Sequence, residues 1–221
     1  MSDRPAATGF RRHVPNALTL ARLVLAGAFI WVLSVYHYPR RDEWALWVGI
    51  VLFVVAALTD AADGYLARRW NAVSVFGRVM DPFADKLLVL GAFVVMAGPQ
   101  FWSAELGRQS TGVLPWMAVV ILGRELLVTS IRGVMEGMGV DFSASWTGKA
   151  KMIVQSVAVP AILLLLVFSS DGSVNPLGDR LMPARAASIN SIIAYVVTAV
   201  TVISAVPYVT RAMGAMRGRV S

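Results

Sequence analysis

Six stretches of mostly apolar residues divide this chain, at 16–36, 44–67, 86–102, 113–135, 151–169 and 187–209. Each is close to the length a helix needs to cross the ~30 Å hydrocarbon layer of a bilayer. Turn-forming residues collect between them, as in "SSDGSVNPLGDR" at 169–180. The pattern predicts an all-α, polytopic membrane protein with six transmembrane helices. Stretches this long and this close leave no room for a separate soluble domain. A short N-terminal arm over 1–15 and one six-helix domain over 16–221 are therefore expected. The fourth stretch is the least apolar, because Arg124, Glu125 and Arg132 lie in or near it.

Composition agrees with this reading. Charged residues make up 15% of the 221-residue chain, against about 25% in soluble domains. Lys and Arg in the loops set the orientation. With the N-terminus in the cytoplasm, twelve of the twenty basic residues fall on the cytoplasmic side, five on the other side and three within spans. Both termini are then expected in the cytoplasm. The net charge of +7 suits a chain lying beside anionic lipid headgroups. Its basic residues flank apolar runs instead of forming a soluble face, so nucleic acid is not expected as a partner. Six of the seven tryptophans lie near predicted span ends, as in an interfacial aromatic belt. With no cysteine in the chain, disulfides, thiolate metal sites and cysteine nucleophiles are excluded.

Against this apolar background, four carboxylates are concentrated in 26 residues. "TDAADGYLAR" (59–68) ends the second stretch, and "GRVMDPFAD" (77–85) leads into the third. On a helix, residues three and four apart share a face. Asp60, Asp63, Gly64, Ala67 and Arg68 then form one stripe, and Gly77, Asp81 and Asp85 form another. The short connection predicts antiparallel neighbouring helices, with the proline of Asp81-Pro82 near a helix start. Facing carboxylate stripes would repel one another unless protonated or bridged by cations. Oxygen donors without His or Cys suit Mg²⁺, Mn²⁺ or Ca²⁺ better than zinc. Gly64, Ala67 and Gly77 leave room for a ligand or for close helix packing. Arg68 is placed to pair with a phosphate.

These two segments match, position by position, the Asp-x-x-Asp-Gly-x-x-Ala-Arg and Gly-x-x-x-Asp-x-x-x-Asp signature of the CDP-alcohol phosphatidyltransferases, which the chain resembles. The resemblance implies a six-helix integral membrane enzyme, usually a homodimer. Such an enzyme moves a phosphatidyl group from CDP-diacylglycerol to an alcohol and releases CMP. It also implies two divalent cations, Mg²⁺ or Mn²⁺: Asp60, Asp63 and Asp81 would bind one, and Asp60, Asp81 and Asp85 the other. Asp85 would be the general base. Gly64, Ala67, Arg68, Ser74 and Gly77 would contact CDP-diacylglycerol. "PNALTLAR" (15–22) looks like the family's N-terminal segment, which would place Asn16, Ala17, Leu18 and Thr19 along the nucleotide pocket.

The acceptor alcohol is sought elsewhere in the chain. "GRELLVTSIRG" sets Arg124 and Arg132 on one helical face, with Glu125 alongside, and "SWTGKAK" brings Lys149 and Lys151 to a helix start, where backbone N–H groups favour anions. These segments resemble those of phosphatidylglycerophosphate synthases. That likeness implies sn-glycerol 3-phosphate as acceptor, its phosphate held by Arg124, Arg132, Lys149 and Lys151 in some combination. The Lys and Arg bias puts the aspartate-bearing loop in the cytoplasm as well, so a bacterial inner membrane location with a cytoplasmic active site is expected. Met152 departs from the threonine often found there. The competing readings are the same chemistry with inositol phosphate or serine as acceptor, a cation transporter, and an inactive scaffold.

Overall fold

The computed structural model describes residues 10–38, 43–70, 75–139, 146–169 and 182–220, with side chains described outside 10–16, 61–70, 75–79, 81, 82, 85 and 216–220. Seven α-helices account for most of these residues: α1 Phe10–Val35, α2 Glu43–Trp70, α3 Val75–Met96, α4 Pro115–Gly137, α5 Trp146–Ser169, α6 Pro183–Ile203 and α7 Val206–Val220. Each of the six predicted stretches lies largely within one of the first six. Among the described residues, four segments are long and apolar enough to cross a membrane: Ala17–Val35, Glu43–Asp60, Trp146–Ser169 and Pro183–Ala215. In α3 the apolar part shortens to Lys86–Met96, while α4 carries the charges of Arg124, Glu125 and Arg132.

Packing follows the 3.6-residue period. On α1, Thr19, Arg22, Ala26, Phe29 and Leu33 are buried at steps of three and four, while Leu20, Val24 and Trp31 face outward. The buried face meets α2 and α3, with the Phe29 and Phe53 rings 5.6 Å apart. Helix α5 packs on α2 and α6, and α4 on α6 and α7, so one apolar core joins the first six helices. The outward faces are also apolar: Val51, Leu58, Val94, Val119, Ile153, Val157, Ile192 and Ile203 are all exposed. In water such a surface would associate. In a bilayer it meets acyl chains.

Four boundaries differ from the sequence expectation, and three of them turn on proline. The third stretch was expected to continue to residue 102, but α3 stops at Met96. Pro99 disfavours the helical conformation at the residue before it, and Gly98 is extended at φ −72°, ψ 161°. The chain then makes a 3₁₀ turn over Pro99–Phe101 and a small antiparallel hairpin, β1 Trp102–Ser103 against β2 Arg108–Gln109. Pro82 does not open α3; the helix starts at Val75 and runs through it. The link between the two aspartate segments accordingly shrinks to residues 71–74. Finally, the sixth stretch is not one helix. Pro207 would set its ring against the carbonyl of Ile203 in a continuous helix, and α6 ends at that residue. Val206 then starts α7, with Pro207 in its first turn, where the missing N–H is not needed.

Candidate active site

The two aspartate segments lie on α2 and α3, which touch one another and both pack against α1. Asp60, Asp63, Gly64, Ala67 and Arg68 are all within the last eleven residues of the continuous helix α2, so their spacing is realised as one helical stripe. Gly77, Asp81 and Asp85 share α3 at intervals of four residues. Asp60 is the aspartate whose side chain is described. Its Oδ1 lies 2.6 Å from Nη1 of Arg22, an arginine buried inside the bundle while the carboxylate stays half exposed. This ion pair joins the N-terminal helix to the first aspartate. Thr19, one turn before Arg22, is fully buried, Leu18 is partly buried and Ala17 is exposed. Asn16 belongs to α1, but its side chain is outside the described set, as are those of Asp63, Ala67, Arg68, Asp81 and Asp85; Ser74 lies outside the described residues. Among the described residues no three His, Cys, Asp or Glu side chains cluster.

At the same end of the bundle, a cavity of about 430 Å³ opens between α3, α4, α5 and α7. Arg124, Arg132, Lys149 and Lys151, singled out from two separate sequence segments, all line it. The structure brings the four together. It adds a fifth cation, Lys86, together with Thr129, Tyr208 and two carboxylates, Glu125 and Glu136. Among the described residues, five cations against two anions give a lining that favours an anionic occupant.

Helix geometry explains how the cations are held. Arg124 and Glu125 are consecutive on α4, and both are 8% exposed. Glu125 Oε1 accepts a hydrogen bond from Arg124 Nη1 at 3.0 Å and a second from Lys151 Nζ of α5. One buried carboxylate therefore ties two cations to one point. Lys86 Nζ donates to Thr129 Oγ1 across α3 and α4. The guanidinium carbons of Arg124 and Arg132 lie 5.7 and 5.9 Å from the ring centre of Tyr208. Nε of each arginine is buried without a hydrogen-bond partner. Buried charged donors left over in this way are costly unless a ligand takes them.

A profile of the CDP-alcohol phosphatidyltransferases matches residues 12–203. The chain belongs to the CDP-alcohol phosphatidyltransferase family. With its membrane-length helices, this makes it an integral membrane protein. It is similar to the CDP-diacylglycerol–glycerol-3-phosphate 3-phosphatidyltransferase of Bacillus subtilis, 38% identical over 69% of this chain and 77% of the relative. The enzyme of the same name from Salmonella typhimurium is 36% identical, over 68% of this chain and 76% of its own length. A probable phosphatidylglycerophosphate synthase of Mycobacterium tuberculosis is 35% identical over 91% of this chain and 82% of the relative.

Reading the sequence alone missed four residues that the structure brings to the cavity or to Asp60. Lys86 directly follows the last aspartate and Arg22 closes the "PNALTLAR" segment, yet both read as charges inside spans. A charge within a span is itself a functional signal, and it could have found both. Thr129 and Tyr208 carry no such mark in the sequence.

Proposed function

We propose that this family member transfers the phosphatidyl group of CDP-diacylglycerol to sn-glycerol 3-phosphate, giving phosphatidylglycerophosphate and CMP. One observation carries the acceptor: Arg124, Arg132, Lys149 and Lys151 converge on a single cavity at the aspartate-bearing end of the bundle. A phosphate ester dianion complements that lining, whereas serine would leave most of its positive charge unanswered. The relatives named for glycerol 3-phosphate point to the same acceptor.

The donor set fits two hard divalent cations, Mg²⁺ or Mn²⁺, since residues 60–85 offer four carboxylates and neither His nor Cys. Asp60, with one oxygen on Arg22, keeps a second oxygen for a metal. Asp60, Asp63 and Asp81 would hold one ion, and Asp60, Asp81 and Asp85 the other. When bound, such ions neutralise pyrophosphate oxygens and stabilise charge on the leaving group. Asn16, Ala17, Leu18, Thr19, Gly64, Ala67, Arg68, Ser74 and Gly77 would seat the cytidine diphosphate portion of the lipid substrate.

Asp85 takes the proton from the acceptor hydroxyl as its oxygen attacks the β-phosphorus. A new P–O bond forms to glycerol 3-phosphate, and the bond from that phosphorus to the bridging oxygen breaks, releasing CMP. The basic cavity orients the acceptor by its phosphate, leaving the hydroxyl end to reach the phosphorus. The acyl chains remain in lipid. The distribution of Lys and Arg supports a site and both termini on the cytoplasmic face of a bacterial inner membrane. The family resemblance supports a homodimer.

The test measures CMP release from CDP-diacylglycerol by the purified protein, with sn-glycerol 3-phosphate, inositol phosphate or serine added separately. Only the first is expected to raise release above buffer, and chelation by EDTA is expected to abolish it. No increase with glycerol 3-phosphate would overturn the acceptor, and release unaffected by EDTA would overturn the metal requirement.

A further inference from the structure

The break between α6 and α7 supplies a carbonyl contact to Arg124 and a ring contact to both Arg124 and Arg132. In an uninterrupted helix the Ser204 carbonyl would accept the N–H of residue 208. Here the Tyr208 N–H donates instead to Ala205 O at 3.0 Å. Ser204 O receives Arg124 Nη2 at 3.2 Å. The same break begins the helix that carries Tyr208, a residue 3% exposed whose ring lies near both Arg124 and Arg132. Val128, Met135 and Ala212 form a small apolar cluster with Tyr208, separate from the main core. The ring is thereby packed between α4 and α7.

We propose that Tyr208 is a positioning residue for the acceptor: its ring, with the Ser204 carbonyl freed at the helix break, holds Arg124 and Arg132 side by side for one phosphate. The inference rests on the acceptor reading above. Two guanidinium groups that share one ring repel each other. An aromatic face attracts both and accepts no hydrogen bond that would compete with the ligand for their N–H groups. Each arginine thus keeps Nε uncommitted while its plane is held by the ring. Tyr208 acts through the arginines, so its loss should weaken acceptor binding without altering the phosphoryl transfer itself.

The experiment replaces Tyr208 with phenylalanine and then with progressively fluorinated phenylalanines, which keep the shape of the ring while draining its negative face. Taking Tyr208→Phe as the baseline, the KM for sn-glycerol 3-phosphate is expected to climb roughly fivefold or more with full fluorination. The KM for CDP-diacylglycerol and the kcat are expected to hold steady across the series. Tyr208→Leu, which removes the ring, should raise the acceptor KM at least as far as full fluorination does. A flat fluorination series would overturn the proposal, as would parallel changes in both KM values. Wild-type protein showing no response to glycerol 3-phosphate would instead overturn the acceptor reading, so the two failures are distinguishable.

Discussion

The two ends of the helix bundle treat their buried polar groups in opposite ways. At the hairpin end the donors are neutral and find carbonyl oxygens. Ser110 Oγ donates to Phe101 O at 2.7 Å, Thr111 Oγ1 to Met96 O at 2.7 Å and Asn190 Nδ2 to Ser110 O at 3.0 Å. Gln109 Nε2 reaches the carbonyls of Ala97 and Gly98 that the end of α3 leaves over. The side-chain atoms without partners there are amide oxygens, of Gln109 and Asn190. At the cavity end the corresponding atoms are guanidinium nitrogens, of Arg124 and Arg132. An unmet neutral acceptor costs less than an unmet cationic donor. The first end is built to stay closed. The second is stable with positive charge in reserve, which is the condition for taking up an anion.

Substitutions should separate the ends, with catalysis and acceptor binding changing at one and stability at the other. The largest effect is expected from Asp85→Asn, which removes the proposed base and a proposed metal ligand. The rate of CMP release should fall by about 10³-fold or more, and activity near the wild-type level would remove Asp85 from that role. Next, Arg124→Ala deletes a charged donor of the cavity. It should lower kcat/KM for glycerol 3-phosphate by roughly 10- to 100-fold, with the KM for CDP-diacylglycerol unchanged; an equal rise in both KM values would mean that the cavity does not belong to the acceptor.

The hairpin end should answer differently. Gly112 sits at φ +68°, and a Cβ there would come 2.3 Å from the backbone N of Ser191 on α6. Gly112→Ala should cost roughly 2–4 kcal/mol, lowering the thermal transition in detergent by about 5–10 °C. The acceptor KM should stay at the wild-type value; a rise would show the two ends to be coupled. The smallest change is expected away from the hairpin, from Gln155→Leu one turn beyond Lys151, which removes the 3.0 Å bond from Gln155 Nε2 to Thr201 Oγ1 between α5 and α6. Such interhelical bonds contribute about 0.6 kcal/mol on average, so a shift of only about 1–3 °C is expected. A loss as large as that of Gly112→Ala would give this bond a weight comparable to the hairpin junction.

How far each region could be foreseen depends on whether its logic is local. The aspartate spacing follows from one turn of helix repeated, so Asp60 to Arg68 on α2 and Gly77 to Asp85 on α3 were legible from the chain. That Arg124, Arg132, Lys149 and Lys151 would share one phosphate was an expectation of the family likeness, but nothing local indicated that Glu125 would link Arg124 to Lys151. The helix break at Ser204–Ala205 was readable in principle from Pro207, but the run of apolar residues around it favoured a single span.

By itself, the sequence determined the all-α membrane class, the placement of the main helices and the helical spacing of the aspartate segments. All three arise from short-range periodicity and residue type. Only the tertiary structure decided that Lys86 joins the cavity, that Arg22 meets Asp60, and that Tyr208 lies beside two arginines more than seventy residues earlier in the chain. Those contacts depend on which helix faces pack together and on where a proline breaks the last one. No local pattern of residues encodes such long-range geometry.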